Sequence, residues 1–170
     1  MLTRKKIEVS IEKNEEVSTF YYRLKVADDL ICAYDFDGIF CEECPSEYKG
    51  SDEAYYKFLC TAMPLYYPDK GYVPLIITGR HEKYREITDR WLKTNNILYG
   101  HMLMRNFEVN PHDCVEEIAT YKAHAYKEHD YDLFIESRLK QARIINNKTD
   151  KPVYCPPAKV LITSYVDDVI

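Results

Sequence analysis

From residue 30 onward the chain alternates short apolar runs with longer stretches whose apolar residues recur at helical spacing. "LICAYDF" (30–36), "YVPLIITGR" (72–80), "ILYGHMLMR" (97–105), "YDLFIES" (131–137) and "KPVYCPP" (151–157) read as strands. Between them lie "DEAYYKFLCTAMPLYY" (52–67), "EKYREITDRWLKTN" (82–95), "CVEEIATYKAHAYKEH" (114–129) and "RLKQARIINNK" (138–148), read as helices. Tyr84, Ile87, Trp91 and Leu92 fall on one face of the second helix, and Ile118, Tyr121, Ala125 and Tyr126 on one face of the third. Strand-then-helix alternation predicts an α/β domain: a three-layer, Rossmann-like parallel sheet with helices on both faces and ligands at the carboxyl ends of the strands. The earlier stretch "KIEVSIEKNEEVSTFYYRLKV" (6–26) reads as a hairpin around Asn14 and Glu15. At 170 residues the chain suits one domain, a size that buries roughly 70% of the unfolded surface in a single core.

Composition narrows the function classes. With 46% hydrophobic and 30% charged residues the chain is a folded domain and not a low-complexity linker. A net charge of −5 argues against wrapping nucleic acid through a broad basic face and leaves small anions as partners. No apolar stretch approaches the roughly 20 residues of a membrane-spanning helix. The start "MLTRKKIEVS" has no apolar core behind its basic residues, so a cytoplasmic location is expected. Of six cysteines, Cys32, Cys60, Cys114 and Cys155 are scattered singly. Cys41 and Cys44 are spaced like half of a zinc site, but no second such pair completes the set, which favours coincidence. The sixteen tyrosines are spread through every element, as residues filling a half-buried surface are.

Polar residues stand where the predicted strands end. Asp35 and Asp37 close the first strand, Thr78 the second and Glu136 the fourth. Four oxygen-bearing side chains on one sheet edge suit a hard cation such as Mg2+. The plain alternative for "DFDG" is a solvated turn, and for Thr78 a helix cap. The matching order of all four favours a shared site.

In this order the residues resemble the haloacid-dehalogenase-like phosphohydrolases, whose motifs are Asp-x-Asp-Gly, a threonine or serine, a lysine and a final acid. The resemblance covers roughly residues 30 to 156 and implies a Mg2+-dependent phosphomonoester hydrolase. It makes Asp35 the nucleophile and Asp37 the acid/base. Thr78, Gly79 and Arg80 of "ITGR" then bind the phosphoryl group, and Asp35, Asp37 and Glu136 hold the metal. Lys122 in "TYKAHAY" is the lysine, with Lys127 as its rival. Ile39 after the glycine, and a lone Glu-Ser in the last motif, depart from the common pattern. "TGRHEKYREITDRWL" and "MLMRNFEVNPHD" are similar to segments of polynucleotide kinase-type 3′-phosphatase domains, which adds Arg80 and Arg105 as anion contacts. The ending "FIESRLKQARIINNKTDKPVYC" is similar to that of small phage-type phosphatase domains.

The resemblance divides the chain into an N-terminal hairpin extension (1–28) and a phosphatase domain (29–170) with a short cap insert at about 41–70. An insert of that size leaves the site open to a nucleotide, a polynucleotide end or a protein-borne phosphate. The rival readings are a catalytically weak domain that binds a phosphorylated ligand or a protein, and an accessory domain of a nucleotide-metabolising enzyme.

Overall fold

The computed structural model describes residues 4–15, 19–110 and 112–164. Its elements run β1 (Val9–Lys13), β2 (Tyr22–Val26), β3 (Cys32–Tyr34), α1 (Asp52–Thr61), β4 (Tyr66–Pro68), β5 (Tyr72–His81), α2 (Arg85–Thr94), β6 (Leu98–Arg105), α3 (Cys114–Glu128), β7 (Leu133–Ile135), α4 (Leu139–Thr149), β8 (Val153–Cys155) and β9 (Val160–Ile162). The main sheet has six strands in the order β6-β5-β3-β7-β8-β9. All neighbours are parallel except β9, which adds to β8 antiparallel. The fold is therefore α/β with a mostly parallel sheet.

From β3 the chain fills the sheet outward through β5 to β6, then returns to the other side of β3 with β7 and β8. The direction of winding reverses between β3 and β7. At such a point the connections leave in opposite directions and open a crevice beyond the carboxyl ends of the strands.

Alternation along the strands sends successive side chains to opposite faces. Cys32, Tyr34, Ile76, Leu133 and Ile135 enter one core with Phe58 and Leu59 of α1 and Ile87, Trp91 and Leu92 of α2. Ala33, Leu75, Ile77, Phe134 and Val153 enter the other with Ala119, Ala123 and Tyr126 of α3 and Ala142 and Ile145 of α4. Strands buried on both faces carry apolar residues at nearly every position, which explains why their runs are continuous and not alternating.

A second, smaller sheet runs β1-β2-β4. β1 and β2 pair antiparallel, and β2 pairs parallel with β4, from Tyr22↔Tyr66 to Leu24↔Pro68. The connection expected as the hairpin's turn includes residues 16–18, which lie outside the described residues. β4 corrects the helix expected over 52–67. Ser51 caps α1 through the Ala54 amide, but the helix stops at Thr61. Pro64 has no amide proton for a helical bond and keeps Met63 out of the helical region, so the following residues extend into a strand. The residues between the first two motifs are thus stitched to β2. Of the final segment "VLITSYVDDVI", the strand β9 joins the sheet and residues 165–170 lie outside the described residues. Among the described residues no helix is long and apolar enough to cross a membrane.

Candidate active site

Three adjacent strands deliver the predicted oxygens to one edge. Asp35 follows β3 directly, with its amide bonded to Ile135 O at 2.8 Å, and Glu136 follows β7, with its amide bonded to Tyr154 O at 3.0 Å. Thr78 lies near the end of β5, where the pairing with β6 becomes irregular between Thr78 and His81. Past Asp35 the chain turns tightly: Gly38 takes φ +77° and its amide bonds to Cys41 O at 2.8 Å. A side chain there meets both a left-handed backbone and a crowd, since a Cβ would sit 2.6 Å from Ser137 Cβ and closer still to Glu43 Oε1. Ile39, the departure from the common motif, is fully buried in the core.

Lys122 reaches this edge from α3. Its ammonium lies 3.0 Å from Asp35 Oδ1 and 2.8 Å from Glu136 Oε2, and it donates to Gln141 Oε1 at 3.0 Å. Three N–H donors meet three acceptors, all on buried side chains. Of the two rival lysines, Lys122 is the one brought to the carboxylates, and Lys127 is exposed. Burial opposes the Lys122 charge, but Asp35 and Glu136 outweigh it and hold its pKa above the usual lysine value. Burial and the Glu136 charge push Asp35 well above the usual carboxylate range despite Lys122.

Asp37 has the opposite environment. Arg80 donates from Nε to Asp37 Oδ2 at 2.9 Å and from Nη2 to Oδ1 at 2.8 Å, a bidentate fork. Burial disfavours the Asp37 charge, and the guanidinium more than reverses this, so its pKa is lowered. Arg80 also donates to Thr88 Oγ1 at 3.1 Å and to Cys41 Sγ at 3.4 Å, and its Cζ lies 3.9 Å above the Phe36 ring. The arginine expected to face a phosphate is thus turned inward onto Asp37.

The other motif residues have local tasks. Thr78 Oγ1 accepts from the Arg80 amide at 3.1 Å. Gly79 lets α3 approach, because a Cβ would stand 2.7 Å from Ile118 Cγ2. Arg105 donates to Gly79 O at 2.8 Å and to Phe107 O, which ties the end of β6 to β5. Cys44 Sγ lies 3.5 Å from Pro45 O, away from the Asp37 and Arg80 contacts of Cys41.

Ser137, Glu43, Arg138 and Gln141 complete the cluster and were not among the residues expected. Ser137 Oγ lies 2.7 Å from Glu43 Oε1, 2.9 Å from Asp37 O, 3.3 Å from Asp35 Oδ2 and 3.5 Å from Glu136 Oε1. Ser137 and Gln141 stand inside the "FIES…QA" ending, which was the available signal. Glu43 carries none, because its arrival depends on the path of the loop after Gly38.

Among the described residues no group of three or more His, Cys, Asp or Glu is arranged to hold a metal ion. The donor chemistry nevertheless fits one. A serine hydroxyl has one proton and can satisfy one of the four acceptors around it, so carboxylate oxygens of Asp35 and Glu136 and the main-chain carbonyl of Asp37 form an all-oxygen collection of the kind a hard cation takes.

The Asp37–Arg80 fork makes a sharp prediction. Arg80→Ala should destabilise the protein by about 3 kcal/mol, because it strands a largely buried carboxylate. A depressed folded pKa contributes stability that is present above the unfolded pKa and lost as pH falls through the folded one. In the variant the Asp37 pKa rises instead, so stability is lost as pH rises. Urea midpoints should therefore show a larger deficit at pH 8 than at pH 4. Arg80→Lys should recover part of the loss, since an ammonium cannot form the fork.

Comparison of the chain with protein-family models, with curated proteins and with solved structures finds no match.

Proposed function

We propose that this chain is a Mg2+-dependent phosphomonoester hydrolase of the haloacid-dehalogenase-like kind. The observation that most supports this is geometric: Lys122 lies within 3.0 Å of both Asp35 and Glu136 at the carboxyl ends of adjacent parallel strands, with Asp37 two positions beyond Asp35. Lys122 opposes the burial and the Glu136 charge that raise the Asp35 pKa, and so favours the ionised form that a nucleophile needs.

Asp35 is the nucleophile. One of its oxygens forms a bond to phosphorus while the ester P–O bond breaks, and the departing oxygen takes its proton from Asp37. Water then attacks phosphorus with Asp37 accepting its proton, the aspartyl P–O bond breaks, and inorganic phosphate leaves. Lys122 sets the charge and orientation of Asp35, and the Thr78 hydroxyl faces the transferring group. Mg2+ would be held through Asp35, Asp37 and Glu136, and when bound it supplies positive charge against the phosphoryl oxygens. The substrate class is a nucleotide or a 3′-phosphorylated nucleic-acid end.

One observation favours the second reading, a catalytically weak domain that binds a phosphorylated ligand. The Arg80 fork occupies both Asp37 oxygens and favours the ionised form, whereas proton donation needs the neutral one. The readings separate in a screen of nucleotides, sugar phosphates and a 3′-phosphorylated oligonucleotide, with and without a chelator. The hydrolase reading expects Mg2+-dependent turnover of alkyl phosphates, with nucleotide or oligonucleotide substrates preferred over compact sugar phosphates. Turnover confined to p-nitrophenyl phosphate, whose leaving group needs no proton, would select the weak domain.

A further inference from the structure

Beyond the ends of β3 and β7, where the winding reverses, a carboxylate of the protein itself lies against the residues that follow Glu136. Glu43, from the loop after Gly38, places Oε1 2.7 Å from Ser137 Oγ and Oε2 3.1 Å from Arg138 Nη2. Its carboxylate therefore lies across two donors, a neutral hydroxyl and a guanidinium, on the residues that follow Glu136. The same hydroxyl is 3.3 Å from Asp35 Oδ2. Asp35 is 4% exposed, too enclosed for a phosphoryl group to reach while its neighbours stay in place.

The neighbours differ in how firmly they are held. Lys122 and Glu136 are buried with side chains 4% and 0% exposed, and Arg80 is locked on Asp37. Glu43 and Arg138 are the half-exposed pair, at 41% and 43%. An ion pair at that exposure contributes little, because solvent screens it, so parting it costs little. Charge points the same way. Four carboxylates (Asp35, Asp37, Glu43, Glu136) meet three cations (Arg80, Lys122, Arg138). Arg80 and Lys122 have their donors on buried acceptors, while the Arg138 guanidinium has Glu43 as its partner among the described residues. Remove Glu43 and the Arg138 fork loses its partner beside a hydroxyl that can turn from Asp37 O or Asp35 toward a ligand, an arrangement that recognises phosphate oxygens.

We propose that Ser137 and Arg138 form the seat for the anionic oxygens of the incoming phosphomonoester, and that Glu43 fills this seat in the free protein and is displaced by the substrate. This rests on the phosphohydrolase reading of the same site and adds to it a binding pair and a self-occupying carboxylate. Arg138 then contacts substrate, and Glu43 lowers apparent affinity by the fraction of molecules in which it occupies the seat.

The test is binding of inorganic phosphate to the full chain, followed by calorimetry and by amide shifts of residues 136–138, independently of turnover. Glu43→Gln keeps the size of the side chain and loses its charge, and should bind phosphate about threefold to fivefold more tightly than the unmodified protein, as expected when the closed form outnumbers the open one by such a ratio. Arg138→Ala should weaken binding and, combined with Glu43→Gln, abolish the gain, while Arg138→Lys should keep part of it. Both residues are half-exposed, so thermal melts should show folded variants. Equal or weaker phosphate binding by Glu43→Gln overturns the proposal. So does a loss of Mg2+ affinity in that variant, which would make Glu43 a cation ligand. Tighter phosphate binding with no turnover by any variant would leave the seat standing and remove the hydrolase reading instead.

Discussion

Lys122→Met is expected to abolish turnover and to destabilise the protein by about 3–5 kcal/mol, because it leaves buried charge without its partner. Among the described residues the ammonium is the one cation within 3.0 Å of both Asp35 and Glu136, and both carboxylates are shut away from solvent. For a chain of this size that loss corresponds to a fall in Tm on the order of 10 °C. The effect should be strongly non-additive. Adding Asp35→Asn and Glu136→Gln to Lys122→Met removes the stranded charges and should restore much of the lost Tm, since a neutral cluster of similar shape can rival a buried ionic one. An undiminished Tm in the single variant would mean that the cluster is open to solvent.

Asp35→Asn separates chemistry from stability in the opposite sense. The carboxamide is nearly isosteric but a far poorer nucleophile, so kcat should fall by at least about 10³-fold with no aspartyl-phosphate formed. Stability should hold or rise slightly. In the unmodified protein one ammonium serves two buried carboxylates, and burial with Glu136 already pushes Asp35 toward its neutral form. Once the carboxamide replaces that carboxylate, the remaining Lys122–Glu136 pair is balanced one to one. Rapid-quench kinetics and a thermal melt on the same sample check both halves, and retained turnover would remove Asp35 from the nucleophile's role.

How much of this was legible in advance follows the range of the forces involved. The strand runs at 30–36, 72–80, 97–105, 131–137 and 151–157 all contain strands of the main sheet, because burial on both faces demands uninterrupted apolar residues. The first helix was read too long because Tyr66 and Tyr67 continue an aromatic pattern that periodicity alone cannot assign. Their partner, β2, is some forty residues away in sequence. Lys122, preferred to Lys127 for the length of chain needed to end α3 and begin β7, is the lysine that lies against Asp35 and Glu136. Arg80, expected as an anion contact, forks onto Asp37: "ITGR" shows that an arginine stands at the strand end, but not that Asp37 lies within its reach.

Local pattern sufficed for the five parallel strands of the main sheet, for the helices other than the end of α1, and for placing Asp35, Asp37, Thr78 and Glu136 at strand ends. Local hydrophobic period and strand-end position are properties of consecutive residues. The strand β4, the antiparallel β9 and the pairing of charges are set across the fold. Lys122 on Asp35 and Glu136, Arg80 on Asp37, and Glu43 across Ser137 and Arg138 join residues 14 to 95 positions apart. In a low-dielectric interior each such pairing is set by a few ångströms of helix placement and loop path, which no local pattern encodes.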